Sequence, residues 1–233
     1  ITAKIGKIFS PVMCLWFGVL ALMGLMNLMQ YPAVLHAVNP YYAAQFLCEV
    51  GWKGFLVMGA IVLVITGAEA LYAEMGQFGL KPVRFAWFGF VFPALLLNYF
   101  GQGALLIEKP DAVINPFYLL APVWARFPLL ILAVLAAVIA SQSVISGAFS
   151  VTRQAIQLGY CPRLNVMHIS DGGKSRVYLP AVNWLLMLAV TMLVFNFQST
   201  SALASAYGIA VTGTMIVDTV LAFIVIQALW QWQ

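Results

Sequence analysis

The most constraining feature of this chain is the length of its uncharged apolar runs. No Asp, Glu, Lys or Arg occurs from Val177 to Val217, and none occurs in the apolar run from Ile8 to Gln30. Of the 233 residues, 64% are hydrophobic and 8% are charged, whereas a soluble domain carries about 25% charged residues. A soluble enzyme and a nucleic-acid-binding domain are therefore excluded. We expect an integral membrane protein that contacts the lipid bilayer and no nucleic acid.

The apolar runs have the length of membrane-spanning helices. A spanning helix needs about 20 mostly apolar residues, and the runs lack the alternation of a membrane β-strand. The fold class predicted is all-α integral membrane, with one transmembrane domain of six helices over residues 1–233. The last two helices come from one uncharged stretch, divided at the polar cluster 196–201. The predicted spans are roughly 8–30, 54–76, 85–107, 127–152, 177–197 and 202–230.

The basic residues are distributed unevenly between the two sides of these spans. If the spans alternate in direction, eight basic residues lie on one side and three on the other. Cytoplasmic loops carry the excess of Lys and Arg, so both ends of the chain are predicted to be cytoplasmic. The larger set is Lys4, Lys7, Lys81, Arg84, Arg153, Arg163, Lys174 and Arg176, and the smaller set is Lys53, Lys109 and Arg126.

The ends of the chain indicate an internal piece of a longer transporter-like protein. The chain begins at Ile1, and the run after Lys7 has no signal-peptide cleavage site. The last residues, 229–233, stop just after an apolar helix. The cysteines at 14, 48 and 161 have no metal-binding spacing and are interpreted as packing residues.

The second predicted span contains the strongest candidate site. Thr66, Glu69 and Tyr72 are three residues apart, so a hydroxyl, a carboxyl and a phenol share one helix face. Gly67 weakens the helix beside them and favours an unwound segment whose carbonyls could bind a cation. The alternative is a kinked helix in which a neutral Glu69 bonds a neighbouring helix.

The sixth predicted span contains two further candidates. Tyr207 lies among small and hydroxylated residues in 201–214, near the depth of a bound ion. Tight packing through small residues explains that composition but not the tyrosine. Asp218 is a second intramembrane carboxyl, nearer the inner half, where pairing with a basic residue competes with an ion role.

The remaining polar residues within spans are interpreted as structural. Pro93, Asn98 and Gln102 are explained by a proline kink whose freed backbone groups bond the amides. Ala136 and Ala140 are predicted to let another helix approach closely. No P-loop, HExxH or GxSxG motif occurs, so we expect no cofactor, no catalytic residue and no metal beyond a transported ion.

The segment Thr66-Gly-Ala-Glu-Ala-Leu-Tyr-Ala-Glu-Met-Gly-Gln-Phe-Gly79 closely resembles the KUP/HAK/KT family of potassium uptake permeases. The resemblance continues through residues 92–104, 139–150, 152–159 and 205–214 and covers essentially the whole chain. Glu74 and Gln77 differ from the Asp and His usual in bacterial members, both at the cytoplasmic end of the second span.

The resemblance implies uptake of K⁺, with H⁺ as the coupled ion, by alternating access in the plasma (inner) membrane. It implies a LeuT-type inverted-repeat fold of the amino acid–polyamine–organocation superfamily, in which this chain provides helices five to ten. The family's N-terminal helices and its C-terminal cytoplasmic region are then absent from the chain. Carried over by position, Thr66 is an ion ligand, Glu69 a coupling or structural carboxyl and Tyr207 a site wall. A homodimer is a further expectation.

Two other classes of transporter stay open. An amino-acid or other cation transporter of the same fold would place helix-end amides against its substrate. A K⁺ channel-like permease would pass ions without saturation or proton coupling.

The cation distribution predicts which loops are accessible from outside the cell. Cysteines introduced as Asp111→Cys and Ser199→Cys should react with a membrane-impermeant thiol reagent added to intact cells. Those introduced as Lys81→Cys and Lys174→Cys should react only after the cells are opened. The reverse labelling pattern would show that the orientation is inverted.

Overall fold

The computed structural model describes residues 2–65, 79–162, 164–171 and 174–229, and these form α-helices joined by short turns and one β-hairpin. They group into two compact units, Ile1–Gln45 with Ala68–Ala181 and Phe46–Gly67 with Val182–Gln233. The helices are α1 (Thr2–Gln30), α2 (Pro40–Val50), α3 (Trp52–Ile65), α4 (Leu80–Ala86), α5 (Phe92–Glu108), α6 (Pro116–Leu119), α7 (Arg126–Gln157), α8 (Pro180–Phe197) and α9 (Thr200–Leu229), and the strands are β1 (Met167–Asp171) and β2 (Lys174–Tyr178).

Five segments of the described chain are long and apolar enough to cross a membrane, so the protein is a multi-pass helical membrane protein. They are Phe9–Gln30, Leu80–Glu108, Val123–Gln157, Pro180–Phe197 and Thr200–Ala228. Each overlaps one predicted span. The other predicted span, 54–76, begins within α3 and continues into residues 66–78, which lie outside the described residues.

Helices α1 and α5 cross at two glycines in the first unit. A Cβ atom added to Gly101 would lie 2.5 Å from the Cα of Gly24. A Cβ atom added to Gly24 would collide with the backbone of Leu97 and Asn98. Helices in a membrane associate through close packing, which small residues permit. The backbones of α1 and α5 therefore touch at a point where no larger side chain fits.

The connection between α5 and α7 packs onto the ends of α1 and α5. This connection, the 109–125 segment, contains two 3-10 turns, Pro110–Ile114 and Val123–Ala125, with α6 between them. Ala121 is buried with Leu20, Met23 and Leu129, while a second buried cluster comprises Leu105, Ala112 and Leu120. Apolar contacts along its length thus hold the 109–125 segment against both helices.

A π-helical turn, Trp87–Val91, joins α4 to α5 and lies immediately before Pro93. Proline cannot donate a backbone hydrogen bond, and its ring collides with the carbonyl one turn earlier in an α-helix. The wider π-turn directs the backbone N–H of Phe92 to the carbonyl of Trp87. The helix therefore passes Pro93 by widening.

The small residues of α7 face a groove that α1 also lines. Ala136 and Ala140 line this apolar groove of about 530 Å³, together with Met13, Trp16 and Tyr118. Ala136 is buried on this face, whereas Ala140 is exposed.

A β-hairpin between α7 and α8 was not predicted. Its strands are antiparallel, with Met167 opposite Tyr178 and Asp171 opposite Lys174. The local sequence signal is Asp171 followed by two glycines, a composition typical of tight hairpin turns. The Tyr178 ring meets that of Phe149 edge-on at 5.7 Å between centroids, so β2 packs against α7.

In the second unit, α8 ends at Phe197 and α9 begins at Thr200, within the polar cluster 196–201. Gln198 has a left-handed backbone, with φ of 50°. Ser199 accepts a hydrogen bond from the backbone N–H of Ala202 at 3.3 Å, which caps the start of α9. No side chain of α8 is buried, although both helices are strongly apolar.

The glycine crossing generates a stability prediction with a matched control on the same helix. Gly24→Ala should lower the free energy of unfolding in detergent by about 1–3 kcal/mol, because the added methyl group collides with the α5 backbone. Gly18→Ala meets no atom within 4 Å and should be neutral or slightly stabilising. Thermal unfolding of the two purified variants measures the difference. Equal melting temperatures would contradict the backbone contact.

Candidate functional site

Four of the predicted site residues lie outside the described residues. Thr66, Gly67, Glu69 and Tyr72 all fall within 66–78. The helix that precedes them, α3, ends at Ile65 and packs against α9 in the second unit. The helix leading to Thr66 therefore contacts the helix that carries Tyr207.

The structure places Tyr207 and Asp218 on one face of α9. They are separated by eleven positions, close to three full helical turns, so they share a face but lie about 16 Å apart along the axis. Tyr207 is 48% exposed, and Asp218 is also exposed. A single ion cannot contact both side chains.

Several hydroxyl groups of α9 donate their protons to carbonyls one turn earlier. Ser205 donates to the carbonyl of Ser201 at 3.1 Å, and Thr214 donates to that of Ala210 at 3.0 Å. A hydroxyl has one proton but two lone pairs. With the proton engaged, its oxygen can accept a further bond or coordinate a cation. Thr214 shares the helix face of Tyr207 and Asp218, so that face presents three oxygen-bearing side chains.

Among the described residues, no three His, Cys, Asp or Glu side chains come together as a metal site. A cluster of that type would favour a divalent metal. The oxygens of α9, by contrast, are mostly neutral. A weakly held monovalent cation suits neutral oxygen ligands.

The amides of α5 form a buried pair in the first unit. Gln102 Nε2 donates to Asn98 Oδ1 at 2.6 Å, and Asn98 is only 3% exposed. The interpretation that these amides bond the backbone groups freed by Pro93 is therefore wrong for this contact, because the two amides bond each other. Asn98 Nδ2 finds no acceptor among the described residues, an arrangement that costs about 1–3 kcal/mol.

The 109–125 segment is held by hydrogen bonds from two side chains, Asn27 and Arg126. Neither was identified as a structural contact from the sequence. Asn27 Nδ2 donates to the carbonyl of Leu120 at 3.2 Å and to that of Met23 at 2.9 Å. Arg126 Nε donates to the carbonyl of Ala121 at 3.3 Å. Asn27 is the one amide side chain between Ile8 and Met29. A single polar side chain within an apolar span needs a partner, so its position in the sequence could have indicated this bonding role.

Tyr31 and Glu108 connect the ends of α1 and α5. The Tyr31 hydroxyl donates a hydrogen bond to the Glu108 carboxylate. Glu108 also lies 3.5 Å from the Lys109 ammonium. The hydrogen bond to Glu108, with smaller contributions from desolvation and charge repulsion, raises the pKa of Tyr31 above its ordinary value. This link lies beside the glycine-crossed helix pair, at the end that carries the 109–125 segment.

Comparison with known proteins identifies the family. Residues 1–233 match the family model described as "K+ potassium transporter integral membrane domain". The chain belongs to this family. Its members resemble it closely: it is 58% identical to "Probable potassium transport system protein Kup 3" of Dechloromonas aromatica, over 99% of this chain and 37% of that protein.

Other members of the family are similarly close. The chain is 56% identical to "Probable potassium transport system protein Kup 2" of Chromobacterium violaceum, over 99% of this chain and 37% of the relative. It is 57% identical to "Probable potassium transport system protein Kup" of Pseudomonas fluorescens, over 99% and 36%. The chain thus spans little more than a third of the length of these curated relatives. Their names describe transport proteins, not enzymes, and no solved structure matches the chain.

The Tyr31–Glu108 link predicts a titration at alkaline pH. Glu108→Gln removes the charge and the strong acceptor, so Tyr31 should ionise at lower pH than in the unsubstituted protein. Because the folded pKa is raised, the link stabilises the protein below the ordinary tyrosine pKa of about 10 and is lost as the pH rises through the folded pKa.

Tyrosinate absorbance measures this titration, with Tyr31→Phe identifying the contribution of Tyr31. Asp111→Asn serves as the control, since it removes a carboxylate of the 109–125 segment and leaves Glu108 in place. An unchanged Tyr31 titration in Glu108→Gln would show that the hydrogen bond is absent.

Proposed function

We propose that the protein takes up K⁺ across the membrane, together with H⁺, by alternating access. The observation that carries this proposal is the match of the entire chain to a potassium transporter membrane domain. The relatives' names support the same substrate, since each is called a potassium transport system protein. The multi-pass apolar architecture is the one that such a function requires.

The proposed architecture has six spans in the order of helices five to ten of a LeuT-type inverted repeat. Both ends of the chain are cytoplasmic in this proposal, the protein resides in the plasma (inner) membrane, and it can associate as a homodimer. In this proposal, the second predicted span, 54–76, begins in α3 and continues through residues 66–76. The distribution of basic residues supports the orientation, since eight of eleven lie on the proposed cytoplasmic side.

In the proposed site, Thr66 binds K⁺, Glu69 couples it to H⁺ and Tyr207 forms a wall. Gly67 provides backbone carbonyls by unwinding the helix, and Tyr72 and Asp218 are secondary candidates. The packing of α3 against α9 supports this grouping, because it brings the helix before Thr66 to the helix of Tyr207. The engaged hydroxyl protons of α9 support a cation ligand environment.

Uptake of Rb⁺ by the full-length protein, in cells that lack other K⁺ transport, tests this function. Saturable uptake that K⁺ competes and acidic external pH stimulates would support the proposal. Competition by amino acids instead of K⁺ would identify an amino-acid transporter of the same fold. Unsaturable currents in a bilayer would identify a channel-like permease.

Thr66→Val tests the proposed ligand. Valine keeps the shape of threonine and removes the hydroxyl oxygen. One neutral ligand contributes about 1–2 kcal/mol, so the apparent affinity for Rb⁺ should fall about ten-fold. Thr191→Val is the matched control, since the Thr191 hydroxyl donates to Met187 within exposed α8 and its loss should leave uptake unchanged. Unaltered affinity in Thr66→Val would remove Thr66 from the site.

Glu69→Gln tests the proposed coupling. A carboxyl at mid-membrane depth favours its neutral form, whereas a nearby K⁺ favours ionisation, so the two equilibria are linked. Glutamine keeps the hydrogen bonds but cannot ionise. The variant should retain Rb⁺ uptake at neutral pH and lose its stimulation by acidic external pH, while Glu74→Gln keeps the full response. A normal pH response in Glu69→Gln would make Glu69 a structural residue.

A further inference from the structure

The chain between α1 and α3 contains a helix too short to cross a membrane. Helix α2 (Pro40–Val50) has 11 residues and is about 16 Å long, roughly half the thickness of the hydrocarbon core. It follows the span Phe9–Gln30. Between them, the 3-10 turn Pro32–Val38 packs against α5, with Val34 beside Gly103 near the end of that helix. The start of α2 therefore lies at the membrane surface where α1 and α5 end.

Defined signals at both ends make α2 a helix of its own. The side-chain oxygen of Asn39 accepts a hydrogen bond from the backbone N–H of Tyr41 at 3.0 Å. Pro40 occupies the first helical position, an arrangement typical of a helix start. At the other end, Gly51 has a left-handed backbone with φ of 58°, and its N–H donates to the carbonyl of Leu47 at 3.1 Å. A glycine of this kind commonly ends a helix, so α2 is not an extension of α3.

Helix α2 has one apolar face and one polar face, and both follow from its own periodicity. The apolar face is formed by residues that recur every three or four positions, Tyr42, Ala43, Phe46, Leu47 and Val50. The opposite face carries Tyr41, Gln45 and Glu49. No side chain of α2 is buried, and Tyr42, Phe46 and Leu47 are 49%, 42% and 39% exposed. The described part of the protein therefore leaves the apolar face of α2 open.

Aromatic rings lie at both ends of α2. The ring of Tyr42 stacks on that of His36, at 6.2 Å between centroids and 7° between planes, and Tyr41 meets Tyr42 edge-on at 6.0 Å. His36 belongs to the 3-10 turn that packs against α5, so the stack ties the start of α2 to this turn. Trp52, just after the end of α2, is 80% exposed. Rings of Tyr and Trp favour the headgroup layer of a membrane, so α2 is flanked by residues suited to that layer.

We propose that α2 binds the surface of the lipid bilayer and buries its apolar face among the glycerol and upper acyl groups of the lipids. An amphipathic helix lies in the plane of the interface, with its apolar face about 5–10 Å deep. The leaflet rests on the orientation proposed above, which makes it the outer one. The binding itself does not depend on K⁺ transport.

The lipid surface is the partner that the position and charge of α2 favour. The exposed apolar surface of α1 includes Met26 and Met29 near its end, and it continues along the chain into the turn that carries α2. The only charged residue of α2 is Glu49, on the polar face. Burial of apolar area, and not attraction to anionic headgroups, therefore supplies the affinity.

Spin labels on the full-length protein in phosphatidylcholine nanodiscs test this proposal. Single cysteines are introduced on the apolar face as Phe46→Cys and Leu47→Cys, and on the polar face as Tyr41→Cys and Gln45→Cys, in a background without other cysteines. Collision of the label with oxygen, which concentrates in hydrocarbon, is compared with collision with a water-soluble nickel complex. Labels on the apolar face should lie about 5–10 Å below the headgroups, whereas those on the polar face should meet the nickel complex.

Two matched variants separate the apolar face from a general effect of charge. With the label at Leu47→Cys, Phe46→Glu should move the label toward water, whereas Gln45→Glu, one residue away on the polar face, should leave its depth unchanged. Addition of phosphatidylglycerol to the nanodiscs should also leave the depth unchanged, because α2 has no basic residue.

Three outcomes would overturn the proposal. Exposure of both faces to the nickel complex would show that α2 lies in water. Protection of the apolar face from both reagents would show that another part of the full-length protein covers it. A depth that appears only with phosphatidylglycerol would show that α2 recognises a charged headgroup instead of the apolar interior of the bilayer.

Discussion

The backbone contact between Gly24 and Gly101 is the constraint on which the first unit depends. In a bilayer, the hydrophobic effect does not drive two apolar helices together, so their association relies on close packing. At the crossing, α5 lies so near α1 that a single added methyl group would collide with its backbone. At Gly103 the space is also limited, since an added Cβ atom would lie 3.0 Å from the Val34 side chain. The glycine crossing fixes the separation of α1 and α5. The turn after α1 and the 109–125 segment pack onto the ends of these two helices.

Features that depend on local composition could be predicted from the sequence. The apolar runs located five membrane-capable helices, because a spanning helix must be about 20 residues long and must satisfy its own backbone. The division at 196–201 was visible as the polar cluster in an uncharged stretch, and Ser199 is found there as the cap of α9. These features need no knowledge of which helices are neighbours.

Features that depend on which segments meet could not be predicted in the same way. Asn27 bonds a carbonyl 93 positions away, and nothing in either local sequence specifies that partner. From the sequence, the amides of Asn98 and Gln102 are predicted to bond the backbone groups that Pro93 frees. In the structure, the π-turn accommodates the proline, and the two amides bond each other. The candidate site depends still more on distant segments: Tyr207 and Asp218 are found on one helix face, while Thr66 and Glu69 lie outside the described residues.

The spacing of α9 limits which carboxyl can couple protons to an ion bound beside Tyr207. At about 16 Å, with an effective dielectric constant of about 20, two unit charges interact by about 1 kcal/mol. That energy changes ion affinity by about five-fold and is too small for strict coupling. A carboxyl about 4 Å from the ion would interact by about 4 kcal/mol, enough to make ionisation and ion binding strongly interdependent. Asp218 can therefore modulate such a site through its charge, but obligatory coupling needs a carboxyl in direct contact with the ion, the role proposed for Glu69.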